Sequence, residues 1–144
     1  MVTVRQLLAC KGHAIRHIDP EASVLDALRM MAEWDVGALI VLAAGELVGL
    51  VSERDYARKV VLKGRLSKDT RVCEIMDDKP ICVASTASVE DCMGLMTDKR
   101  TRHLPVVENG QVAGIISIGD VVKAIIEDRE MTIEGLQQYI TGGR

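Results

Sequence analysis

Apolar and polar positions follow the same order in the two halves of this chain. In the first half, apolar residues recur every three or four positions over residues 24–31, and two short apolar runs, 39–42 and 47–51, then flank a turn. The first spacing is typical of an amphipathic helix, and the paired runs are typical of a β-hairpin. The second half repeats this order over residues 89–96, 104–107 and 112–116. Each half is therefore predicted to hold a helix followed by a hairpin.

The two halves align without a gap at an offset of 65 residues, and 11 of 34 aligned pairs are identical. This period exceeds the roughly 20 to 50 residues of solenoid repeats, so we expect two supersecondary units that pair with each other in one body. Several identical pairs are apolar and are explained by a core. Ser52/Ser117 and Asp55/Asp120 are polar, and they indicate where function lies.

Further segments complete the predicted organisation. Second helices are expected just past the shared serines, at about 53–62 and 119–128, and short apolar segments at 14–18 and 81–83 add an entry strand to each copy. We therefore predict a mixed α/β fold of the α+β kind, with the whole chain, 1–144, as one module. The repeats are placed at about 9–65 and 72–128, and a C-terminal helix at about 130–140. The apolar side of that helix is expected to pack on its own domain or on a second copy.

Composition narrows the possible functions. The 144 residues carry a formal net charge of −3 and include no Phe, one Trp and two Tyr. A negative balance and a lack of aromatic rings argue against nucleic-acid binding. The longest apolar stretch, 37–45, is about half of the roughly 20 residues that a membrane helix needs. We therefore expect neither a nucleic-acid partner nor a membrane partner.

Cysteine and histidine positions do not indicate a metal site. The four cysteines form no Cys-x-x-Cys pair, which is the spacing of many zinc and redox sites. They are expected to be reduced thiols of a cytoplasmic protein. His13 and His17 have the i, i+4 spacing that binds a metal on a helix, but their neighbours indicate an extended segment, on which the pair is poorly placed.

The segments 49–55 and 114–120 both read Gly-x-x-Ser-x-x-Asp across a strand end and a helix start. A carboxylate can accept hydrogen bonds from both hydroxyls of a cis-diol, and a serine hydroxyl can add a bond to ribose or phosphate. Free backbone N–H groups at a helix start also suit phosphate. The motif therefore suits a ribonucleotide. Helix capping is the alternative, because Ser and Asp are preferred at helix starts for that reason alone.

The duplicated pattern resembles a pair of cystathionine β-synthase (CBS) domains, the tandem arrangement called a Bateman module. The resemblance covers essentially residues 3–128, and it rests on the two Gly-x-x-Ser-x-x-Asp segments, on residues 102–107 and on residues 74–76. It implies two pseudo-symmetric β-α-β-β-α repeats packed sheet to sheet. It also implies two clefts, related by pseudo-twofold symmetry, of the kind that bind adenosine ligands in this family.

By the family's pattern, Ser52 and Asp55 hold the ribose in one cleft, and Ser117 and Asp120 hold it in the other. The resemblance also implies a swap, in which the segment entering the first copy serves the Asp120 cleft and the segment entering the second copy serves the Asp55 cleft. The residues expected along the adenine and the cleft walls are Gly12, His13, Ala14, Val36, Gly37, Ala38, Pro80, Ile81, Thr101, Leu104, Pro105, Ile118 and Gly119. The residues expected near the phosphates are Lys11, Glu53, Arg54, Arg100, Arg102 and His103.

The two copies differ around these clefts. The second copy has basic residues within 99–103, whereas residues 34–38 of the first copy include none, and Arg54 aligns with Gly119. The two clefts are therefore predicted to bind unequally. Because the basic residues favour an anionic ligand, AMP is the leading candidate, with ATP, ADP or NAD as alternatives.

The expected function is a regulatory or sensor module that binds an adenine nucleotide, forms a homodimer and acts on an effector protein that the sequence does not name. One alternative is a structural or interaction scaffold with empty clefts, although a scaffold needs neither the paired serines nor the paired aspartates. A second alternative is an enzyme acting on nucleotides. The sequence contains no Walker loop, GxGxxG or HExxH motif and no nucleophile with an evident base, so we expect no enzyme activity and assign no catalytic residue.

Overall fold

The computed structural model describes residues 2–12 and 14–142, with side chains described through residue 137. The first repeat contains β1 (His17–Ile18), α2 (Val24–Trp34), β2 (Ala38–Ala43), β3 (Glu46–Ser52) and α3 (Glu53–Tyr56), preceded by α1 (Val4–Lys11). The second repeat contains α4 (Val89–Lys99), β4 (His103–Glu108), β5 (Gln111–Ser117) and α5 (Ile118–Gly142). This order confirms the mixed α/β fold with two repeated units.

The two first helices begin and end in the same way. The hydroxyl of Ser23 accepts a hydrogen bond from the backbone N–H of Asp26 at 3.0 Å, and that of Ser88 accepts one from Asp91 at 3.1 Å. Such caps satisfy donors that a helix start leaves unpaired. Each helix ends at a residue in the left-handed conformation, Asp35 in α2 and Arg100 in α4.

The two hairpins are near copies of each other. β2 pairs with β3 and β4 pairs with β5, both antiparallel, and each has a register shift at the same place, after Val41 and after Val106. Both turn residues of each hairpin have positive φ, at positions 44–45 and 109–110. This is the backbone of the two-residue turn that matches strand twist. The predicted hairpins are confirmed.

The entry strands are shorter than the sequence suggested. β1 is parallel to β2 over only two residues, His17 and Ile18. In the second copy the strand is reduced to one parallel bridge between Val83 and Val106. A parallel edge contact this short leaves room for the segment that precedes it to turn toward the other repeat.

Each repeat completes its core with a segment from the other half of the chain. Val4, Leu7 and Leu8 of α1 lie in the core of the second repeat, whereas Val72 and Ile75, which precede the second repeat, lie in the core of the first. Two single-turn 3₁₀ helices, Ser67–Asp69 and Val72–Glu74, make up part of that connection. The halves are therefore interlocked, and hydrophobic burial stabilises them together.

The sheets meet through the side of each hairpin that faces away from the helices. Ala38, Ile40 and Leu50 are buried there, and Val112 and Ile115 of the other repeat pack against them. Alternate residues of the same strands, such as Leu39 and Val41, face the helical core instead, as the two-residue period of a strand requires. The expected packing of sheet against sheet is confirmed.

The second helices depart from the prediction in two ways. α5 is one helix from Ile118 to Gly142, whereas separate helices were expected at about 119–128 and 130–140. The stretch between the two expected helices, residues 128–130, has no glycine or proline that would end a helix. The first copy's α3 is a single turn that continues as a π-helical turn over Ala57–Val61. Within residues 2–12 and 14–142, no helix is long and apolar enough to cross a membrane.

Candidate functional site

Ser52 and Asp55 lie where β3 ends and α3 begins. The backbone N–H of Ser52 donates to Asp55 Oδ2 at 3.0 Å, and the backbone N–H of Asp55 donates to Ser52 Oγ at 3.2 Å. The Ser52 hydroxyl also lies 3.0 Å from Asp55 Oδ2. These reciprocal bonds form a capping box. The capping interpretation is therefore correct for this pair, and it fixes the carboxylate at the mouth of a cleft.

Ser117 and Asp120 repeat the arrangement where β5 meets α5. The backbone N–H of Ser117 donates to Asp120 Oδ2 at 2.8 Å, and the backbone N–H of Asp120 donates to Ser117 Oγ at 3.1 Å. The same Oδ2 also accepts a hydrogen bond from Lys11 Nζ at 2.6 Å. Lys11 is at the end of α1, so the segment entering the first copy does reach the Asp120 side of the molecule.

The environment of Asp120 favours its charged form. Burial alone would raise the pKa of this carboxyl, but the hydrogen bonds from Lys11 and from the Ser117 backbone outweigh burial and hold the pKa below its usual range. Hydrogen bonds and a nearby positive charge stabilise the carboxylate over the acid. Asp120 is therefore an ionised acceptor at neutral pH.

Asp55 also has a lysine partner, from a different part of the chain. Lys59 Nζ lies 3.3 Å from Asp55 Oδ1, one helical turn along, and donates to the carbonyl of Ile75 at 2.8 Å. Each ribose candidate thus contacts one lysine in addition to its cap. The lysine comes from the adjoining helical turn in one repeat and from the entering segment in the other.

The glycine of each motif is explained by packing. A Cβ at Gly49 would lie 2.6 Å from Met76 Sδ and 2.9 Å from the Asp77 carbonyl oxygen, and one at Gly114 would lie 2.9 Å from Leu8 Cδ2. Only glycine lets the entering segments approach this closely. Asp77 and Leu50 exchange backbone hydrogen bonds of 2.9 and 3.0 Å, so the segment entering the second copy is held on the Asp55 side.

A cleft of about 1030 Å³ opens beside Asp55. Nine of the residues predicted from sequence line it: Gly37, Ser52, Glu53, Arg54, Asp55, Arg100, Thr101, Arg102 and His103. Seven further lining residues were missing from the predicted set: Leu50, Arg58, Lys59, Met76, Asp77, Asp78 and Lys99. Arg58 and Lys59 were missed, although they follow Asp55 by three and four residues, a spacing that places side chains on one face of a helix.

Charge in the Asp55 cleft is uneven. Six lysines and arginines line it against four carboxylates. Arg54 is partly committed, since its Nη1 donates to the Arg100 carbonyl at 2.7 Å and so joins α3 to the end of α4. Lys59 is likewise paired with Asp55, and the positive excess that the cleft residues give attracts anions.

His103 lies between the two candidate sites. It lines the Asp55 cleft, where its Cε1 would be 3.4 Å from a Cβ placed on Gly37, and it pairs in register with Ser117. Burial, with help from Lys11 and Arg102 and against the effect of Asp120, holds the pKa of His103 below its ordinary value. The ring is therefore neutral at pH 7.

Other predicted wall residues lie in different places. Leu104 is fully buried in the core of the second repeat, and Val36 packs against the core of the first. Ala38 is buried between the sheets, and Ile81 packs on the second core. The structure places these four residues in supporting positions rather than along the open Asp55 cleft.

The remaining wall predictions fall outside that cleft or outside the described residues. Pro105 is buried in β4, and Pro80 is half-buried in the entering segment. Ile118 and Gly119 line a shallow groove along α5. Gly12 and Ala14 are exposed after α1, and His13 lies outside the described residues. Within residues 2–12 and 14–142 no group of three or more potential metal ligands is found.

Comparison with known proteins identifies the family. The CBS domain model matches residues 13–62 and 72–127. The mitochondrial CBS domain-containing protein CBSX3 of Arabidopsis thaliana is 43% identical over 126 residues, which are 84% of this chain and 61% of that protein. The chain therefore spans about three fifths of that relative's length.

Solved structures of CBS-domain proteins are also similar to this chain. A CBS-domain protein of Burkholderia ambifaria, provisionally described as a signal-transduction protein, is 48% identical with a TM-score of 0.85, covering 88% of this chain and 96% of that one. A hexameric CBS-CP12 protein from bloom-forming cyanobacteria is 30% identical with a TM-score of 0.76, covering 85% and 70%. Proteins built on CBS pairs are commonly regulatory or sensor modules. With both repeats matched and the interlocked fold described, this chain belongs to the CBS domain family as a tandem pair.

Proposed function

We propose that this chain is a regulatory module that binds an adenine nucleotide in the Asp55 cleft and passes that state to an effector protein. The observation that supports this most directly is the combination of a fixed Ser52–Asp55 pair with a cleft rich in cations. The carboxylate suits a ribose diol and the cations suit phosphate. The adenine base would contact the least polar part of the cleft, which is formed by Leu50, Met76 and the neutral His103.

The size of the cleft suits such a ligand. Its volume of about 1030 Å³ is just above the roughly 300 to 1,000 Å³ of small-molecule pockets. The excess of cations over carboxylates favours a ligand with several negative charges over a cationic sulfonium compound. AMP remains our leading candidate, and ADP, ATP and NAD share the adenosine that Asp55 would bind.

Isothermal titration calorimetry with AMP, ADP, ATP, NAD and an S-adenosyl compound tests the proposal. We expect one or more of the anionic ligands to bind, and Asp55→Asn to weaken that binding at least tenfold without lowering the melting temperature in the absence of ligand by more than a few degrees. Asp69→Asn, an exposed carboxylate outside the cleft, is the matched control. Equal binding by Asp55→Asn and the wild type would contradict the assignment of Asp55.

A scaffold with empty clefts is the competing function, because helix capping accounts for the serines and aspartates without any ligand. The same titrations separate the two: a scaffold binds none of the five compounds. Enzyme activity is not part of the proposal, since the relatives are named as CBS-domain or signal-transduction proteins and not as enzymes. Turnover of ATP or NAD by the pure protein would overturn that part.

We further propose that the module works as a homodimer in a reducing compartment such as the cytoplasm. Large apolar side chains on α5 are exposed, among them Ile126, Ile133 and Leu136 at 51%, 54% and 59%. Exposed apolar faces of this kind mark association surfaces. All four cysteines are unpaired. Light scattering should give twice the chain mass, and Ile133→Glu should shift it toward the monomer; a monomeric wild type would contradict the dimer.

A further inference from the structure

Lys11 binds the carboxylate of Asp120, the ribose candidate of the second repeat. Its Nζ lies 2.6 Å from Asp120 Oδ2 and 2.8 Å from the Ile115 carbonyl oxygen. The two side chains are only partly exposed, at 36% and 26%. A lysine ammonium between a carboxylate and a carbonyl makes charge-assisted bonds, which are shorter and stronger than neutral ones. A ribose hydroxyl that bound the same Oδ2 would have to displace this ammonium.

The position of Lys11 is set by the packing of α1 on the second repeat. Leu8 fills the space that the absent side chain of Gly114 leaves. The backbone N–H groups of Val4 and Arg5 donate to the carbonyls of Ala87 and Ser85 at 2.8 and 2.9 Å. Lys11 follows Leu8 by three residues and therefore lies on the same side of α1, one turn closer to Asp120.

The lysine in the other repeat is held differently. Lys59 Nζ and Asp55 Oδ1 are on adjoining helical turns at 3.3 Å, and the lysine side chain is 47% exposed. Lys59 also lines the open cleft, so it can turn toward a ligand's phosphate without moving any backbone. Lys11 comes from a different helix, so its pair with Asp120 joins the end of α1 to the start of α5.

We infer that Lys11 is a built-in competitor for nucleotide at Asp120, so that the free protein has one open adenine-nucleotide site per chain and not two. This rests on the proposed function of the Asp55 cleft. The positive charge of Lys11 takes the place of the diol donors, and the second site binds only when the Lys11 side chain leaves Asp120. The inequality of the two clefts thus comes from a side chain 109 residues away in sequence.

Calorimetric titration with AMP and, separately, with ATP measures the number of sites. The wild type should bind one nucleotide per chain, and Lys11→Met should bind two. The added site should weaken at least tenfold in the double variant Lys11→Met/Asp120→Asn, because a single neutral amide oxygen replaces the two charged acceptor oxygens of the carboxylate. Lys59→Met is the matched control: it removes a lysine from the other aspartate and should weaken the existing site without adding one.

Two results would overturn the inference. One is a wild type that fills two equal sites. The other is a folded Lys11→Met variant with one site, whether its affinity is unchanged or is lower because Lys11 normally binds phosphate. Thermal melting checks that the variant folds. If it does not, Lys11→Gln takes its place, and it should likewise add one site.

Failure of the proposed function gives a different pattern. If neither the wild type nor Asp55→Asn binds AMP or ATP, the Asp55 assignment fails. Lys11→Met in the Asp55→Asn background then tests the inference alone. One Asp120-dependent site in that variant would support a competing role for Lys11, whereas no binding would contradict it.

Discussion

The Asp55 and Asp120 sites share one backbone arrangement and differ in what surrounds it. Both carboxylates accept the N–H of a serine three residues earlier. Asp55 faces a wide cleft lined by cations, whereas Asp120 is bound by a lysine that α1 delivers. Duplication thus preserved the part of the site that also caps a helix. The side chains around that cap, which folding does not require, account for the difference between the copies.

The largest expected effect concerns how the entering segments pack. Gly49→Ala should destabilise the fold by about 2–3 kcal/mol, because its Cβ meets a backbone oxygen at 2.9 Å as well as Met76. Gly114→Ala should cost less, about 1 kcal/mol, since its Cβ meets only the Leu8 side chain and no backbone atom. Urea unfolding of both variants measures the difference. Equal losses would show that the two entering segments pack equally tightly.

The next largest expected effect concerns phosphate binding, which should depend on a basic residue beside Asp55 but not on its counterpart in the second repeat. Arg58 lines the Asp55 cleft, while Lys123 occupies the aligned position on α5 and lies 4.0 Å from Glu127. Arg58→Gln should weaken binding of AMP about tenfold, since a charged hydrogen bond contributes about 1.5 kcal/mol or more. Lys123→Gln should leave the affinity unchanged. A similar loss in both variants, measured by calorimetry, would mean that the effect is one of overall charge.

His103 should make stability depend on pH in a way that its counterpart, Ala38, cannot. The folded pKa of His103 lies below its usual value, and the unfolded value is about 6.5. The contribution of neutral His103 to the free energy of unfolding is therefore fully present above about pH 6.5. It is lost as the pH falls through the folded pKa, because the unfolded chain binds the proton first. His103→Gln should flatten the dependence between pH 7.5 and 5.5 in urea unfolding, and exposed His17→Gln should not. An unchanged slope in His103→Gln would contradict this assignment.

The smallest expected effect concerns the rim of the Asp55 cleft. Arg54→Met removes the hydrogen bond from Arg54 to the Arg100 carbonyl, for which the second repeat has Gly119 and no equivalent. Because the contact is exposed, the expected loss of stability is below about 1 kcal/mol. Arg29→Met, which removes an exposed pair on α2, is the control. Amide exchange at residues 99–101 should rise only in Arg54→Met, and protection equal to the wild type would show that the rim does not depend on Arg54.

Local signals explain which features were predictable. Serine caps and the Asn109–Gly110 turn depend on neighbouring residues, so the helices and hairpins follow from sequence. The pairing of Lys11 with Asp120 joins residues far apart in the chain, and no local pattern marks it. Arg58 follows Asp55 by three residues, so helical spacing alone could have predicted it on the same face as Asp55. The continuity of α5 differs from the two helices expected, and the charged residues 127–130 include no glycine or proline that would end a helix.

The exchange of segments between the repeats bears on how the protein is made. On the ribosome, α1 emerges before the repeat that it completes, because Ser85 and Glu108, the partners of Arg5, are synthesised 80 and 103 residues later. The second repeat cannot complete its core until its own strands meet this earlier helix. The two repeats should therefore fold as one cooperative event late in translation, and a nascent chain stopped near residue 70 should remain sensitive to protease.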